Sequence, residues 1–372
     1  MQITYFPYIP LKDKSYVDLG NGLVVWHFYS LAEKYIPDKV VREHVTRLID
    51  ANIQGETKEK IKGIGVVSIG NTDFRIFNQK EEQLVQEAKL ILFLSKIAKS
   101  NTSILGSGGD GWSLSTSENF EPVYQNFEMG NDYLSERAGY IVNIGSTGYK
   151  INEKKFYKPS HVIISLFGLS LDSELFTKLI EIRDKKGKKL FRKMMRATDL
   201  LFQAYYNTPS VSKNARILLI AAAFETLLDL EEPARKNFKD VLEKYCSNSG
   251  EKKYRSYYQN HGKSIRERDR SIKVLWGESF FSLRNQIIHG DVVEEDMYQF
   301  QNGDRHVDVA ILFFSFLVKQ LINGKYCGDK PFWDKIEWKK RQNKTEGFYY
   351  DDHSVTVLLA RKFKQLSKKV GV

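Results

Sequence analysis

The chain has 372 residues, of which 42% are hydrophobic and 28% are charged, and this composition is ordinary for a soluble globular protein. The length favours two domains, or one domain with extensions. The formal net charge of +11 favours a polyanionic partner, either a nucleic acid or an anionic membrane surface. A basic protein without such a partner is the alternative.

Cysteine usage argues against a disulfide-linked or cysteine-based metal protein, and the length of the apolar runs argues against a membrane-spanning protein. Cys246 and Cys327 lie far apart without metal-site spacing, so we expect reduced thiols in a cytosolic protein. The longest apolar runs, Ala88–Ala98 and Val307–Val318, are too short to span a bilayer. The first residues lack the charged leader and apolar stretch of a signal peptide, so we expect a cytoplasmic protein.

Residues 1–160 predict a mixed α/β domain, to which we assign a sensing or regulatory role. Runs rich in β-branched and aromatic residues predict strands at Gly22–Tyr29, Gly63–Ile69, Asp73–Phe77 and Gly139–Ile144. Helical spacing of apolar residues predicts helices at Asp38–Ile53 and Glu81–Lys99. The segment Asn101–Asn119 is rich in Gly, Ser, Thr and Asp, which indicates a long loop.

From about Leu169 the pattern becomes helical, and residues 161–328 predict an up-and-down bundle. The expected helices are Ser173–Arg183, Leu190–Tyr206, Lys213–Leu230, Ala234–Tyr245, a helix through Phe280 to His289, and Asp304–Asn323. The third of these is apolar nearly all round, so we expect it at the centre of the bundle. Ser247–Gly262 is polar and predicts a loop.

The order of elements, mixed first and all-helical second, predicts an α+β fold with two domains. Ser170 or Asp172 is expected to cap the first helix of the bundle, and Ser212 to cap the third. Residues 329–372 are basic and aromatic, and they predict a tail with one possible helix at Ser354–Lys368.

The strongest candidate site lies at the end of a predicted helix, in Arg284-Asn285-Gln286-Ile287-Ile288-His289-Gly290. On a helix Asn285 and His289 share a face, and Arg284 is rotated about 140° from His289. An imidazole can act as general acid or base, and a guanidinium matches phosphate oxygens. The neighbouring amide can fix the histidine or a ribose hydroxyl. These groups suit RNA cleavage by its own 2′-hydroxyl, so no metal or cofactor is expected.

The spacing alone is weak evidence, because the chain contains a second pair, Arg255 and His261, also followed by a glycine. That pair lies in a polar stretch without apolar periodicity, and we interpret it as a decoy or an RNA-contact loop. For Arg284 and His289 the alternative interpretation is a simple helix C-terminus, where cations are favoured. Three features favour function there: Asn285, the apolar flanks and the closing Gly290.

Phe281–Gly290 resembles the signature of HEPN domains, particularly the Apea-like HEPN family. Ala221–Leu228 is similar to the alanine-rich, glutamate-containing helix that precedes it in that family, and the likeness covers roughly Leu171–Gly324. Many HEPN proteins are metal-independent endoribonucleases of antiviral defence or toxin systems, and they act as dimers with two motifs facing one cleft. The resemblance implies that Arg284 and His289 are catalytic and that Asn285 supports them.

Several other residues have two interpretations. Glu225 either orients Arg284 or His289 across the bundle, or is a surface acid on the polar stripe that it shares with Asp229. A basic run either follows an RNA backbone or is a solvated helix face, and its members are Lys185, Lys186, Lys188, Lys189, Arg192, Lys193 and Arg196.

The leading hypothesis is therefore a cytosolic, metal-independent endoribonuclease of antiviral (phage) defence or of a toxin-type system. The bundle is expected to form a homodimer, and an unknown trigger to act on the N-terminal domain. The competing hypothesis is a non-catalytic module that binds RNA or nucleotide in a defence complex.

Overall fold

The computed structural model describes residues 1–9, 11, 14–50, 52–54, 60–61, 63–70, 74–99, 117–129, 134–137, 156–158, 171–184, 188–206, 211–232, 234–245, 253–256, 268–300 and 305–323. These residues divide into two compact units. The first is drawn from Met1–Lys96 and Ser115–Leu171, and the second from Ile97–Leu114 and Asp172–Val372. The fold is mixed, with strands concentrated in the first unit and helices in the second, in agreement with the α+β prediction.

The first unit is built on a six-stranded antiparallel sheet with the order β2-β3-β5-β1-β6-β7. Its strands are β1 (Gln2–Phe6), β2 (Tyr16–Asp18), β3 (Leu23–His27), β5 (Gly65–Ile69), β6 (Val123–Met129) and β7 (Leu134–Arg137). A separate parallel pair joins β4 (Asn52–Gln54) to β8 (Phe156–Lys158). Consecutive residues of β1 point to opposite faces and are both buried, with Thr4 at 2% and Tyr5 at 1% exposure.

Three helices accompany the sheet: α1 (Phe28–Tyr35), α2 (Lys39–Asp50) and α3 (Gln79–Lys99). Buried residues of α1 and α2 form one core with the residues of a single sheet face, including Tyr5, Trp26 and Val66. The Trp26 ring stacks on Tyr35 with a centroid distance of 4.6 Å. The helix predicted at Glu81–Lys99 is confirmed as α3.

Three predicted elements of the first unit are wrong at their ends or in type. The strand predicted to reach Tyr29 stops at His27, because the His27 imidazole accepts from the Ser30 amide at 3.2 Å and caps α1. The helix predicted to reach Ile53 ends at Asp50. Phe74–Phe77 forms no strand, since Phe74 has a left-handed φ of 44° that interrupts an extended chain. Gly139–Ile144 lies outside the described residues.

The second unit contains six helices within its described residues: α4 (Ser173–Asp184), α5 (Lys188–Ala204), α6 (Lys213–Leu228), α7 (Ala234–Tyr245), α8 (Ile272–His289) and α9 (His306–Asn323). Each predicted helix of the bundle is confirmed to within a few residues, except that α8 begins well before Phe280. The predicted caps are present where they are described. Leu175 donates to Asp172 Oδ1 at 2.9 Å, and Ala215 donates to Ser212 Oγ at 3.2 Å.

Helix α6 lies at the centre of this unit, as its nearly uniform apolar surface predicts, and it contacts α5, α8 and α9. Phe224 is fully buried on α6, with ring centroids 5.8 to 6.2 Å from Trp276, Phe280 and Phe314. Trp276 in turn stacks on Phe313 at 4.5 Å. Aromatic rings from three helices therefore fix how α6, α8 and α9 pack.

The prediction that this unit is entirely helical is wrong. Strand β9 (Lys253–Ser256) lies inside the loop expected at Ser247–Gly262, and it pairs antiparallel with β10 (Arg268–Ser271). Both strands are short and polar, so they lack the alternation of apolar residues by which strands are found in a sequence. The possible tail helix at Ser354–Lys368 lies outside the described residues.

A buried ion pair fixes the beginning of α4 against α9. Lys319 Nζ donates to Asp172 Oδ2, and the two side chains are only 3% and 6% exposed. Asp172 also caps α4, so one carboxylate both begins this helix and joins it to α9.

We expect Gly277→Ala to lower the free energy of unfolding by ~1–2 kcal/mol, because overpacking outweighs the higher helix propensity of alanine. A β-carbon on Gly277 would stand 2.4 Å from Leu242 Cδ1 and 3.1 Å from Phe238 Cε1, and both of those side chains are fully buried. Chemical denaturation measures the change. Ser282→Ala on the same helix adds no atoms and is the matched control. Equal stability of the two variants would contradict close packing of α7 against α8.

Candidate active site at the end of helix α8

Helix α8 presents the candidate residues at a well-defined C-terminus. The helix begins at the Ser271 cap, whose Oγ accepts from the Val274 amide, and it ends at Gly290. Gly290 has φ 75° and ψ 20°, a left-handed conformation that glycine adopts without a steric cost. The Gly290 amide donates to Ile287 O at 3.2 Å and the Asp291 amide to Gln286 O at 3.0 Å. This is a Schellman ending, which fixes the last turn of the helix.

Arg284 is held by groups from two helices. Its Nη1 donates to Asn285 Oδ1 at 3.0 Å, and its Nη2 donates to Glu225 Oε1 at 2.8 Å. The arginine side chain is only 16% exposed and the Glu225 side chain 26%. The contacts orient the guanidinium, since a planar group with two anchored nitrogens has little freedom to rotate.

Glu225 reaches Arg284 because its neighbour in sequence is anchored in the core. Phe224 packs among the aromatic rings of α8 and α9, so the next residue of α6 emerges at the edge of the α6–α8 contact. Partial burial raises the pKa of Glu225, Arg284 lowers it, and the nearby Glu232 raises it further. Of the two interpretations of Glu225, contact across the bundle is the one that the geometry supports.

A second carboxylate approaches the same guanidinium nitrogen. Glu232 lies between α6 and α7, and its Oε1 is 3.8 Å from Arg284 Nη2. Its other oxygen, Oε2, accepts from the Ala234 amide at 3.0 Å, at the beginning of α7. The Glu232 side chain is 77% exposed. Sequence reasoning missed this residue, although an acid just before the beginning of a helix is a usual N-terminal signal.

His289 is the last residue of α8 and its side chain is exposed. It makes no hydrogen bond or ion pair to any residue in the described part of the chain. Two exposed apolar residues flank it, Ile288 at 51% and Val292 at 87% exposure. Asn285 is bonded to Arg284 rather than to His289. The imidazole is therefore open to an incoming ligand.

The predicted RNA-binding residues lie in two places. On α5, Lys189, Arg192 and Lys193 follow helical spacing on the side opposite the buried Phe191, Met194 and Met195. Lys193 Nζ contacts Asp229 Oδ2 at 2.6 Å, and Asp229 is the residue that follows α6 directly. Arg255 lies in β9, and Lys185, Lys186 and His261 lie outside the described residues.

Sequence reasoning also missed a buried histidine in the bundle. His306, the first residue of α9, is 0% exposed and lies among the rings of Trp276, Phe280 and Phe300. Its Nε2 is 3.4 Å from Ser279 Oγ, and its Nδ1 has no hydrogen-bond partner among the described residues. Burial lowers the pKa of His306 to about 4. The aromatic contacts and the buried, neutral imidazole give this histidine a role in packing.

In the first unit, an open groove of about 560 Å³ lies between α1 and α2. Its lining includes Tyr29 and four charged residues of both signs, Glu33, Arg42, Glu43 and Arg47. The Tyr29 hydroxyl already donates to Asp50 at 2.9 Å, and Arg42 donates to Ile36 O at 2.7 Å. The mixed charge selects no single class of ligand, so this groove does not indicate what the first unit would sense.

Comparison of the chain with protein-family models, with curated proteins and with solved structures finds no match. Across the described ranges, no helix combines the length and apolar character needed to cross a membrane. Within those same ranges, His, Cys, Asp and Glu side chains form no group of three or more that could hold a metal ion.

We expect the stability of the second unit to fall as the pH is lowered from 6.5 to 4, partly through His306. The unfolded chain binds a proton near pH 6.5, whereas the folded chain resists it until about pH 4, so acid favours unfolding. The full contribution is roughly 3 kcal/mol. Denaturation curves of wild type and His306→Phe over this window measure it, and the variant should lose less stability. Parallel curves for the two proteins would contradict the burial of a neutral imidazole.

Proposed function

We propose that this protein is a metal-independent endoribonuclease of the HEPN type, with Arg284 and His289 as its catalytic residues. The observation that carries the proposal is the arrangement at the end of α8. An arginine anchored by Glu225 and Asn285 lies within two turns of an exposed histidine on the same helix. A fixed guanidinium and an accessible imidazole are the two groups that phosphodiester cleavage needs when no metal takes part.

The reaction is a transesterification within the RNA. The 2′-oxygen attacks the adjacent phosphorus, the bond to the 5′-oxygen breaks, and the products carry a 2′,3′-cyclic phosphate and a 5′-hydroxyl. His289 takes the 2′-hydroxyl proton or protonates the leaving 5′-oxygen. Arg284 binds the nonbridging oxygens and stabilises the charge that develops on them. Asn285 and Glu225 keep the guanidinium in place for this contact.

A homodimer completes the site in this proposal. One imidazole cannot remove one proton and donate another in the same step, whereas two copies of His289 facing one cleft supply both a base and an acid. The exposed Ile288 and Val292 beside His289 are apolar surface that a second copy would cover. The exposed basic residues of α5 would bind the RNA backbone beyond the scissile phosphate. The biological setting that we propose is defence against phage, or a toxin system, in the cytoplasm.

We expect pure protein to cleave single-stranded RNA in the presence of a chelator, and His289→Ala and Arg284→Ala each to lower the rate by about 10²- to 10⁴-fold. Gel analysis with end labels measures the rate and identifies the cyclic phosphate. RNA with 2′-O-methyl groups should remain intact, because the nucleophile is blocked.

The matched control for the arginine is Arg305→Ala. Arg305 is an exposed arginine in the same unit that pairs with Asp308 rather than with the candidate site. Its loss should leave cleavage unchanged. Activity that survives both site substitutions, or that requires a divalent metal, would rule out the mechanism.

A second candidate function is RNA binding without cleavage, and the basic side of α5 favours it. Lys189, Arg192 and Arg196 are exposed at helical spacing and can follow a phosphate backbone without any chemistry at His289. In that case charge-removing substitutions on α5 would weaken binding and reduce its salt dependence, whereas His289→Ala would change nothing.

A further inference from the structure

We propose that Glu232 is a specificity-determining residue that covers the open side of Arg284 and gives way when an RNA phosphate binds there. This inference rests on the proposed function only in naming an RNA phosphate as the incoming anion. The site would thus exchange one anionic oxygen, from the Glu232 carboxylate, for another from the RNA.

The hydrogen bonds of Arg284 show which side is open. Each terminal nitrogen of a guanidinium carries two hydrogens. Nη1 gives one to Asn285 and Nη2 gives one to Glu225. Glu232 faces Nη2 at 3.8 Å, which is too long for a hydrogen bond and leaves only an electrostatic contact. Glu225 is therefore a structural partner of the arginine, whereas Glu232 is a neighbour that a better acceptor can replace.

The exposure of the side chains also distinguishes Glu225, the structural partner, from Glu232, the replaceable neighbour. The Glu225 side chain is 26% exposed and the Glu232 side chain 77%. An anion reaching Arg284 from solvent therefore meets Glu232 first. An exposed carboxylate keeps most of its hydration, so it can move aside at little cost.

Glu232 is also held where this competition takes place. Its Oε2 accepts from the Ala234 amide at the beginning of α7, and this bond keeps Oε1 near the guanidinium. Arg284, Glu225 and Glu232 together carry a formal net negative charge at the point where the RNA phosphate would bind. This negative charge disfavours weakly bound anions. Only a ligand that makes further contacts, such as those on α5, displaces the Glu232 carboxylate.

The test measures binding of a fully 2′-O-methylated RNA oligonucleotide, which cannot be cleaved through its 2′-oxygen, by fluorescence anisotropy. We expect Glu232→Gln to tighten binding about two- to fivefold, the range of exposed ion pairs. The glutamine oxygen can still accept from the Ala234 amide, so the cap on α7 is kept. Glu225→Ala should instead weaken binding, because Arg284 loses the hydrogen bond that orients it.

Two controls make the result specific. Glu231→Gln removes the same charge one residue away and should tighten binding less than Glu232→Gln does. In an Arg284→Ala background, Glu232→Gln should have no effect beyond that of Glu231→Gln. Equal effects of the two glutamines, or a gain that persists without Arg284, would overturn the proposal, as would absence of RNA binding by every variant. Because this RNA is not cleaved, a failed cleavage assay would reject the ribonuclease while leaving this result standing.

Discussion

The packing of Phe224 against Trp276, Phe280 and Phe314 is the constraint on which the candidate site depends. Aromatic rings bury large areas in specific geometries, so they fix both the separation and the rotation of the helices that carry them. Phe224 precedes Glu225 on α6, and Phe280 lies one turn before Arg284 on α8. A substitution in this core would change how α6 packs against α8. It would therefore separate the Glu225 carboxylate from the Arg284 guanidinium, although neither residue had been altered.

The two carboxylates around Arg284 carry the same charge but differ in exposure, and this difference separates their roles. The half-buried Glu225 orients the arginine and partly neutralises it, and the exposed Glu232 adds further negative charge at the surface. Under the proposed function, an RNA phosphate would have to replace a carboxylate that is already present. Lys193 of α5 pairs with Asp229, which follows α6 directly, so the basic side of α5 and the Glu225 carboxylate are joined through the same helix.

Helical elements were more predictable than strands, for a reason visible in particular segments. Helix α7 has a sustained apolar periodicity, α6 and α9 are long and strongly apolar, and the sequence places all three to within a few residues. In contrast, β1 is buried on both faces and β9 is polar, so neither shows the alternation that identifies a strand. The segment Phe74–Phe77 has strand-like composition, but its backbone turns at Phe74.

Arg284, Asn285 and His289 could be assigned to one helix end before the fold was known, because helical period and a closing glycine are local properties of the chain. Which carboxylates contact the arginine depends on tertiary packing. Glu225 lies 59 residues before Arg284, and the exposed Glu232 gives no pattern of its own. Such contacts depend on how α6 and α8 pack, and packing is set by the fit of buried rings in three dimensions rather than by spacing along the chain.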